Sequence, residues 1–339
     1  MTEDRLAAFP PTAEMLAESV KENGGIVETR ILYGNIGYMA VNTMAMQDQN
    51  GKAAIAAAFA FLHNTDAMIL DLRGNTGGSG HAELFMSYFS EGAPFTGATA
   101  YWREGDTKRK QAFRTTDLGP LSYGAKKPLY VLTSQRTFSA AEGLAYEIQA
   151  FKRGMIVGET TGDGANPSNN GNSQLGYGFS AFVPTGYVIS AATGTNWEGV
   201  GVKPDVEVPA GEALGKAWSL AAGRLAASAS DPRSLAVLRT LAAAKLSGPP
   251  SLTPGQITGQ YGRSGGPQFE IEAKDGRLYC RQHQPSPVDF APRTAGGDHY
   301  RLDQLPDGFS MTFLMKDDRV ELMPVLPGIH LSVPVLERQ

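Results

Sequence analysis

The sequence predicts an α/β protein that carries a small antiparallel β domain at its C-terminal end. Three observations lead there. Apolar runs that read as buried strands are each followed by a polar loop and then a helical segment, and this order occurs twice before residue 160. After about residue 206 the chain turns to Ala-rich helices. After residue 255 it turns to short alternating runs separated by turn pairs. With 339 residues, 42% of them hydrophobic, there is enough chain for two domains and a real core.

Residues 12–23, TAEMLAESVKEN, have helical spacing through Met15, Leu16 and Val20, and Gly24 and Gly25 end them. GIVETRILYGNIGYMAVN then alternates like paired strands, with a turn at Tyr33-Gly34-Asn35. GKAAIAAAFAFLHN is helical. AMILDLRGN is a short apolar strand running into the glycine-rich loop RGNTGGSG, and AELFMSYFS is the helix that follows. The order returns with KPLYVLTS as strand, QRTFS as loop and AAEGLAYEIQAF as helix. GMIVGETT is a strand, GDGANPSNNGNS a polar loop, and GYGFSAFVPTG and YVISAATG are two further strands. In such a layer the functional loops are expected at strand C-termini. AGEALGKAWSLAAGRLAASA and SLAVLRTLAAAKL are helices, and SGPPSLTP is a Pro/Ser linker. The runs QFEIEA, GRLYCRQ, SMTFLM and RVELMPV, with turns at Asp275-Gly276 and Asp317-Asp318, form the β domain.

The net charge of -4 is small and the basic residues are scattered, so neither a nucleic-acid surface nor a membrane surface is expected. Cys280 stands alone, which excludes an internal disulfide and a cysteine-based metal cluster. His63, His81, His283, His299 and His330 are far apart and none has paired metal spacing, so neither a metal nor another cofactor is expected. No apolar run approaches the ~18 residues of a membrane span. The start, MTEDRLAAFPP, has no apolar h-region. The chain as it stands therefore reads as cytoplasmic, and as exported if a leader was trimmed from a precursor.

Three segments could carry chemistry. The loop 71–80, DLRGNTGGSG, can present several backbone N–H groups at one point, as an oxyanion or phosphate cradle, or can simply make a tight turn. Its spacing fits neither a Walker loop nor a dinucleotide fingerprint. Ser139, in TFSAAEGLAYE, opens a helix. There it is either a cap, with Glu142 completing a Ser-x-x-Glu capping box, or a nucleophile beside free N–H groups and the positive helix end. Ala140 and Ala141 leave room for a substrate carbonyl. In GTNWEGVGVKPD, Glu198 beside Trp197 could orient a base or a substrate amine, or be a solvated loop residue.

Together and in this order, YGNIGYMAV, AMILDLRGNTGGSG, PLYVLTSQRTFSAAEGLAYEIQAFKRGMIVGETTGDG and TGTNWEGVGVKPDVEV resemble the tail-specific serine proteases. That family includes bacterial C-terminal processing proteases, the tricorn core protease and the repeats of interphotoreceptor retinoid-binding protein. The likeness covers about residues 12–215 and leans to the retinoid-binding-protein-like and tricorn-like branch. It implies a crotonase-like ββα-spiral core with Ser139 as nucleophile. The oxyanion hole would be formed by the N–H of Ala140 and of Gly77 or Gly78, with Glu198 as the acidic residue that supports the machinery. The implied domains are a short N-terminal helical segment (1–30), a catalytic core (31–215), a helical connector (216–248) and a β domain (249–339) resembling lipocalin-like modules.

A serine hydroxyl needs a base. In the C-terminal processing branch a lysine in a T-x-G-K-G-like turn serves, whereas here Thr161-Gly162-Asp163-Gly164 puts Asp163 in that slot. The tricorn-like branch carries its histidine ahead of the first motif, and this chain has none before His63. His81, directly after the glycine loop, is the resident substitute. Asp163 and Asn166 could also face the site. The implied function is a serine-type peptidase acting on a peptide or protein substrate, with pairing between chains a further expectation. The alternative is a catalytically weak binding protein of the same fold carrying an apolar ligand or peptide. A crotonase-like acyl-CoA enzyme would leave the serine and NWEGVGV unexplained.

Overall fold

The computed structural model describes residues 17, 20–44, 48–78, 82–168, 172–263, 266–283, 288–290, 292–302, 310–325 and 335–338. Its chain is mixed α/β and divides into two compact units. The first is 1–30 with 38–210, and the second is 31–37 with 211–339. Of the expected helix 12–23, only its end falls among the described residues: helical turns at 20–22 run into a 3-10 turn at Asn23–Gly25.

The first unit holds most of a six-stranded sheet of order β1-β2-β3-β6-β7-β11, in which the neighbours β3, β6, β7 and β11 pair in parallel. Its strands are β1 Ile26–Leu32, β2 Ile36–Val41, β3 Ala67–Asp71, β6 Leu129–Thr133, β7 Met155–Gly158 and β11 Val206–Glu207. Parallel strands are buried on both faces, and so they read as continuous apolar runs. AMILD and LYVLT are buried at every position. Helix α1, Gln49–Leu62, follows β2 and is capped by Asp48, whose side chain accepts the Gly51 N–H at 2.7 Å. Helix α2, Ala82–Tyr88, follows the glycine loop, and helix α3, Ala140–Ala150, follows β6. Phe59 of α1 stacks on Tyr88 of α2 with ring centroids 3.9 Å apart, and Phe85 and Phe89 surround the pair. Each such buried side chain contributes roughly 1.5–3 kcal/mol.

Two features depart from the sequence reading. A hairpin, β4 Thr96–Glu104 with β5 Thr107–Arg114, lies between α2 and β6 and was not assigned; it joins β10, Gly186–Ser190, in a three-stranded sheet of order β10-β4-β5. Part of the expected polar loop is strand β8, Asn172–Gly176, paired with β9, Phe179–Phe182, in a two-stranded sheet. NSQLG lacks the apolar alternation that marks a half-buried strand, and its exposure explains why.

The second unit holds helices α4, Ala213–Ala226, and α5, Pro232–Ala243, a four-residue helix α6 at Pro254–Ile257, and a nine-stranded antiparallel sheet. The sheet strands are β12 Gly259–Arg263, β13 Gly266–Lys274, β14 Arg277–Gln282, β15 Val288–Phe290, β16 Pro292–Gly296, β17 His299–Leu302, β18 Ser310–Lys316, β19 Arg319–Val325 and β20 Leu336–Arg338. Asp275-Gly276 and Asp317-Asp318 have φ of 51°, 73°, 47° and 62°, the paired positive values of a tight hairpin turn. Tyr261, Phe313, Ile271 and Leu322 centre its core, where Cys280 is also buried. Asp298 accepts the N–H groups of Ser251 and Leu252 at 2.8 and 3.0 Å, and so fixes the Pro/Ser stretch.

Candidate active site

The glycine loop after β3 is anchored before it reaches α3. Asp71, at the end of β3, accepts from Arg73 Nε and Nη2 at 2.9 and 2.6 Å and from the Tyr38 hydroxyl at 2.8 Å. Burial, and then the Asp71 carboxylate, push the Tyr38 phenol above its ordinary pKa and keep it a donor. Arg73 also donates to Ala210 O at 2.6 Å. Asn75, fully buried, ties three segments together. Its Nδ2 donates to Val41 O at 3.0 Å, its Oδ1 accepts the Gly77 N–H at 2.9 Å, and its carbonyl accepts the Phe138 N–H at 3.0 Å.

Thr137 closes the turn into α3, donating to Leu72 O at 2.8 Å and accepting the Ser134 N–H at 3.0 Å. Ser139 then takes φ 54°, ψ −119°, the conformation of the first central residue of a type II′ turn, where glycine is usual. For a residue with a Cβ this costs about 1–3 kcal/mol and persists only where the surroundings impose it. Gly77, at φ 93°, packs directly against this turn. A Cβ added there would stand 2.7 Å from Ser139 Cβ and 3.2 Å from Ala140 N.

What imposes the conformation is Glu142. It is fully buried and accepts the Ser139 N–H at 2.7 Å, the glutamate half of the Ser-x-x-Glu box. The same carboxylate accepts from Gly164 N at 3.0 Å, Asp163 N at 2.8 Å and Thr161 Oγ1 at 2.5 Å. The turn 161–164 is thereby fixed against the helix start, with Gly162 and Gly164 against the Phe138 ring. The next residues are held by Glu198, whose Oε2 accepts Ala165 N at 2.7 Å and Asn166 N at 2.9 Å. Trp197 donates to Gly164 O at 3.2 Å and lies over Gly143, where a Cβ would meet its ring at 3.1 Å.

The fold thus brings together Gly77, Ser139 and Ala140, joins Asp163 and Asn166 to them through backbone N–H groups, and reaches Glu198 through the loop 165–166. Gly78 follows in the same loop, where a Cβ would overlap Met44 O. His81 lies outside the described residues. The N–H groups of Ser139, Ala141 and Gly77 are already donated, to Glu142, Phe138 O and Asn75. Those of Ala140 and Gly78 have no acceptor among the described residues. Asn75 was missed by sequence reasoning, since a polar residue beside glycines reads as turn chemistry. Farther along α3, Glu147 is 6% exposed and neither carboxylate oxygen has a hydrogen-bond partner among the described residues. Burial raises its pKa to about 7. No helix among the described residues is long and apolar enough to cross a membrane.

The sequence model of peptidase family S41 matches residues 35–208. The chain is 28% identical over 188 residues to the chloroplastic carboxyl-terminal-processing peptidase 2 of Arabidopsis thaliana, a match that covers 51% of this chain and 32% of that one. It therefore spans about a third of the length of that relative. Similar solved structures include the photosystem II D1 C-terminal processing protease, at 24% identity and TM-score 0.40 over 52% of this chain and 43% of that one. Another is a lipoprotein from Streptococcus agalactiae, at 20% identity and TM-score 0.41 over 58% and 69%. Just over half of the sequence fits the family model, including the glycine loop, Ser139 with its helix and Glu198, and the chain belongs to peptidase family S41.

Proposed function

We propose that the chain is a serine-type peptidase that cleaves peptide bonds through an acyl-enzyme on Ser139. The observation that carries this reading is the backbone of Ser139. It is held at φ 54°, ψ −119° on the first turn of α3 by a buried carboxylate, with Gly77 packed against it. A residue needed only as a cap has no use for that strain, because caps sit in the extended region.

The chemistry follows from the donors left over. Ser139 Oγ attacks the scissile carbonyl, and its proton passes to a base and from there to the leaving amine. Water then attacks the ester, and the acid product and free serine are regenerated. The oxyanion is held by Ala140 N–H and Gly78 N–H, since Gly77 N–H is committed to Asn75. The positive end of α3 adds to this stabilisation. His81 serves as base, three residues beyond Gly78. Glu198 supports the site indirectly by setting the loop 165–166, and Asp163 and Asn166 belong to its wall.

The order β1-β2-β3-β6-β7-β11 supports a crotonase-like ββα-spiral core across the expected 31–215, although β1 already begins at Ile26, so the expected helical segment 1–30 is not helical throughout. Residues 216–248 act as connector and 249–339 as a lipocalin-like module. The substrate is a peptide or protein segment. A fluorophosphonate probe tests the reading. Labelling at Ser139 that is abolished in Ser139→Ala is expected, and no labelling between neutral and alkaline pH would refute it. His81→Ala should lower hydrolysis at least about a hundredfold.

A further inference from the structure

The three-stranded sheet β10-β4-β5 gathers charge that the chain as a whole does not carry. Against a net charge of -4, residues 103–114 hold Arg103, Lys108, Arg109, Lys110 and Arg114, with Glu104 and Asp106 to offset them. Strand alternation sorts these groups by face. The register sets Tyr101 beside Tyr187 and Lys110, and Arg103 beside Lys108, so these side chains share one face. Glu104 and Arg109 belong to the other face, where they pair at 2.6 Å.

The basic face is ordered by its tyrosines. Tyr101 and Tyr187 stack with ring centroids 5.0 Å apart. Lys108 Nζ lies 5.4 Å from the Tyr187 centroid and Lys110 Nζ 5.5 Å from that of Tyr101. The rings steady the two ammonium groups without neutralising them. Arg103, Lys108 and Lys110 are exposed, and none is ion-paired with a carboxylate among the described residues. Lysines on the outer strand β5 also discourage edge pairing, but Arg103 is on the central strand, which has no edge to protect. An open cleft of about 430 Å³ adjoins the face, lined by Arg103, Asp106 and Lys108 and by Pro184, Gly186 and Tyr187.

The outer edge of β10 is a second, independent feature. Arg103 N–H donates to Thr185 O at 2.8 Å and Ala191 N–H to Gly97 O at 2.7 Å. By the alternation of an antiparallel pair, residues 186, 188 and 190 therefore turn their backbone groups away from β4. There Gly186 N–H donates to Pro167 O, and Val188 O accepts from Asn196 Nδ2. Ser190 donates to Thr195 O and accepts from Gly194 N–H. Gly186 C=O and Val188 N–H are left without a partner among the described residues. An acceptor and a donor on either side of one residue are what a single residue of a parallel strand fills with its own N–H and C=O.

We propose that this edge and face form a docking site for an extended, acidic segment of polypeptide. One residue of the segment lies beside Tyr187, donates its N–H to Gly186 O and accepts the Val188 N–H. Its side chain then stands on the face of Tyr187, where a glutamate is drawn to Lys108 and Arg103, and alternate residues keep to that face. The main-chain match selects a peptide, because a nucleic acid has no amide donor paired with a carbonyl acceptor along its backbone. The three cations select acidic side chains and repel basic ones. That the segment belongs to a substrate rests on the peptidase reading, whereas the docking itself does not.

The test is fluorescence anisotropy of a short labelled peptide that alternates glutamate with valine, added to the full chain carrying Ser139→Ala so that nothing is cleaved. Saturable binding is expected. Arg103→Glu combined with Lys108→Glu should raise the Kd at least about tenfold, as should glutamine in place of the peptide's glutamates. N-methylation of the glutamates removes the N–H that reaches Gly186 and should weaken binding at least about tenfold. N-methylation of the valines, whose N–H groups point away from β10, should weaken it less than about threefold. No binding at about 1 mM peptide, a Kd indifferent to the charge reversal, or equal losses from the two methylations would overturn the proposal. So would an oligonucleotide of equal charge that binds as tightly. None of these outcomes depends on probe labelling at Ser139, so a failure here is distinct from a failure of the peptidase reading.

Discussion

Replacing Glu142 by glutamine changes one buried atom and tests how the site is assembled. The carboxylate accepts four hydrogen bonds, from Ser139 N, Gly164 N, Asp163 N and Thr161 Oγ1. An amide accepts at one oxygen and presents N–H groups at the other position. Thr161 can adapt by turning its hydroxyl round, so the NH2 turns toward Thr161 and leaves the Asp163 N–H facing a donor. A buried donor without a partner costs about 1–3 kcal/mol. The other bonds lose their charge assistance, at about 1 kcal/mol each. Relief of the desolvation of a buried charge offsets part of this sum, so the net loss is about 2–4 kcal/mol.

For a unit of about 150–250 residues, 1 kcal/mol shifts Tm by about 2–4 °C, so Glu142→Gln should melt roughly 4–16 °C lower. Calorimetry follows the transition of the unit that contains Glu142. Because Ser139 loses the bond that imposes its backbone, probe labelling should also slow at least about tenfold. Both effects should appear together. A variant with unchanged Tm and unchanged labelling would refute the claim that this carboxylate sets the nucleophile.

Gly77→Ala puts a methyl 2.7 Å from Ser139 Cβ and 3.2 Å from Ala140 N, at a φ of 93°; peptide hydrolysis should fall by about 10²–10³, the cost of one oxyanion donor, and normal rates would remove Ala140 from that role. Glu147 has a folded pKa of about 7 against an ordinary 4.5, so the folded chain holds a proton that the unfolded chain has released across that window. Stability should therefore fall as pH rises from about 4.5 through 7, by about 3 kcal/mol in total. Urea titrations of Glu147→Gln should lack this slope, and parallel pH profiles would contradict it. Asp71→Asn leaves the Arg73 guanidinium, 24% exposed, without its carboxylate; a loss of about 2–4 kcal/mol in urea unfolding is expected after allowance for that exposure.

The central parallel strands of the first unit were readable because they are buried, β3 and β6 at every position and β7 at three of its four, and MIL, LYVL and MIV are apolar runs. Turns were readable where positive φ selects the residue, as at Asp275-Gly276. β8 was not, because an exposed strand carries no burial pattern. At the candidate site, Ser139 and Glu142 were legible as a helix start, since the capping box is local. The four-way role of Glu142 depends on Thr161, Asp163 and Gly164, some twenty residues away, and no local spacing encodes it. Asn75 was silent for the same reason, because its partners are Val41, Gly77 and Phe138.

The turn 161–164 bears on the base. Asp163 occupies the position at which the C-terminal processing branch carries lysine, and its backbone is fixed at both ends. Its N–H goes to Glu142 at 2.8 Å, and its carbonyl accepts the Gly199 N–H at 3.0 Å, with φ at 71°. Its side chain is exposed. On the proposed reading Asp163 contributes to the site through its main chain, and its carboxylate is expected to be dispensable. Asp163→Asn, which keeps the tolerance for positive φ, should change peptide hydrolysis less than about threefold, whereas a general base contributes about 10²–10⁴. Comparing Asp163→Asn with His81→Ala over the same pH range separates the two candidates. If Asp163→Asn suffers the larger loss, the carboxylate is the base and His81 is not.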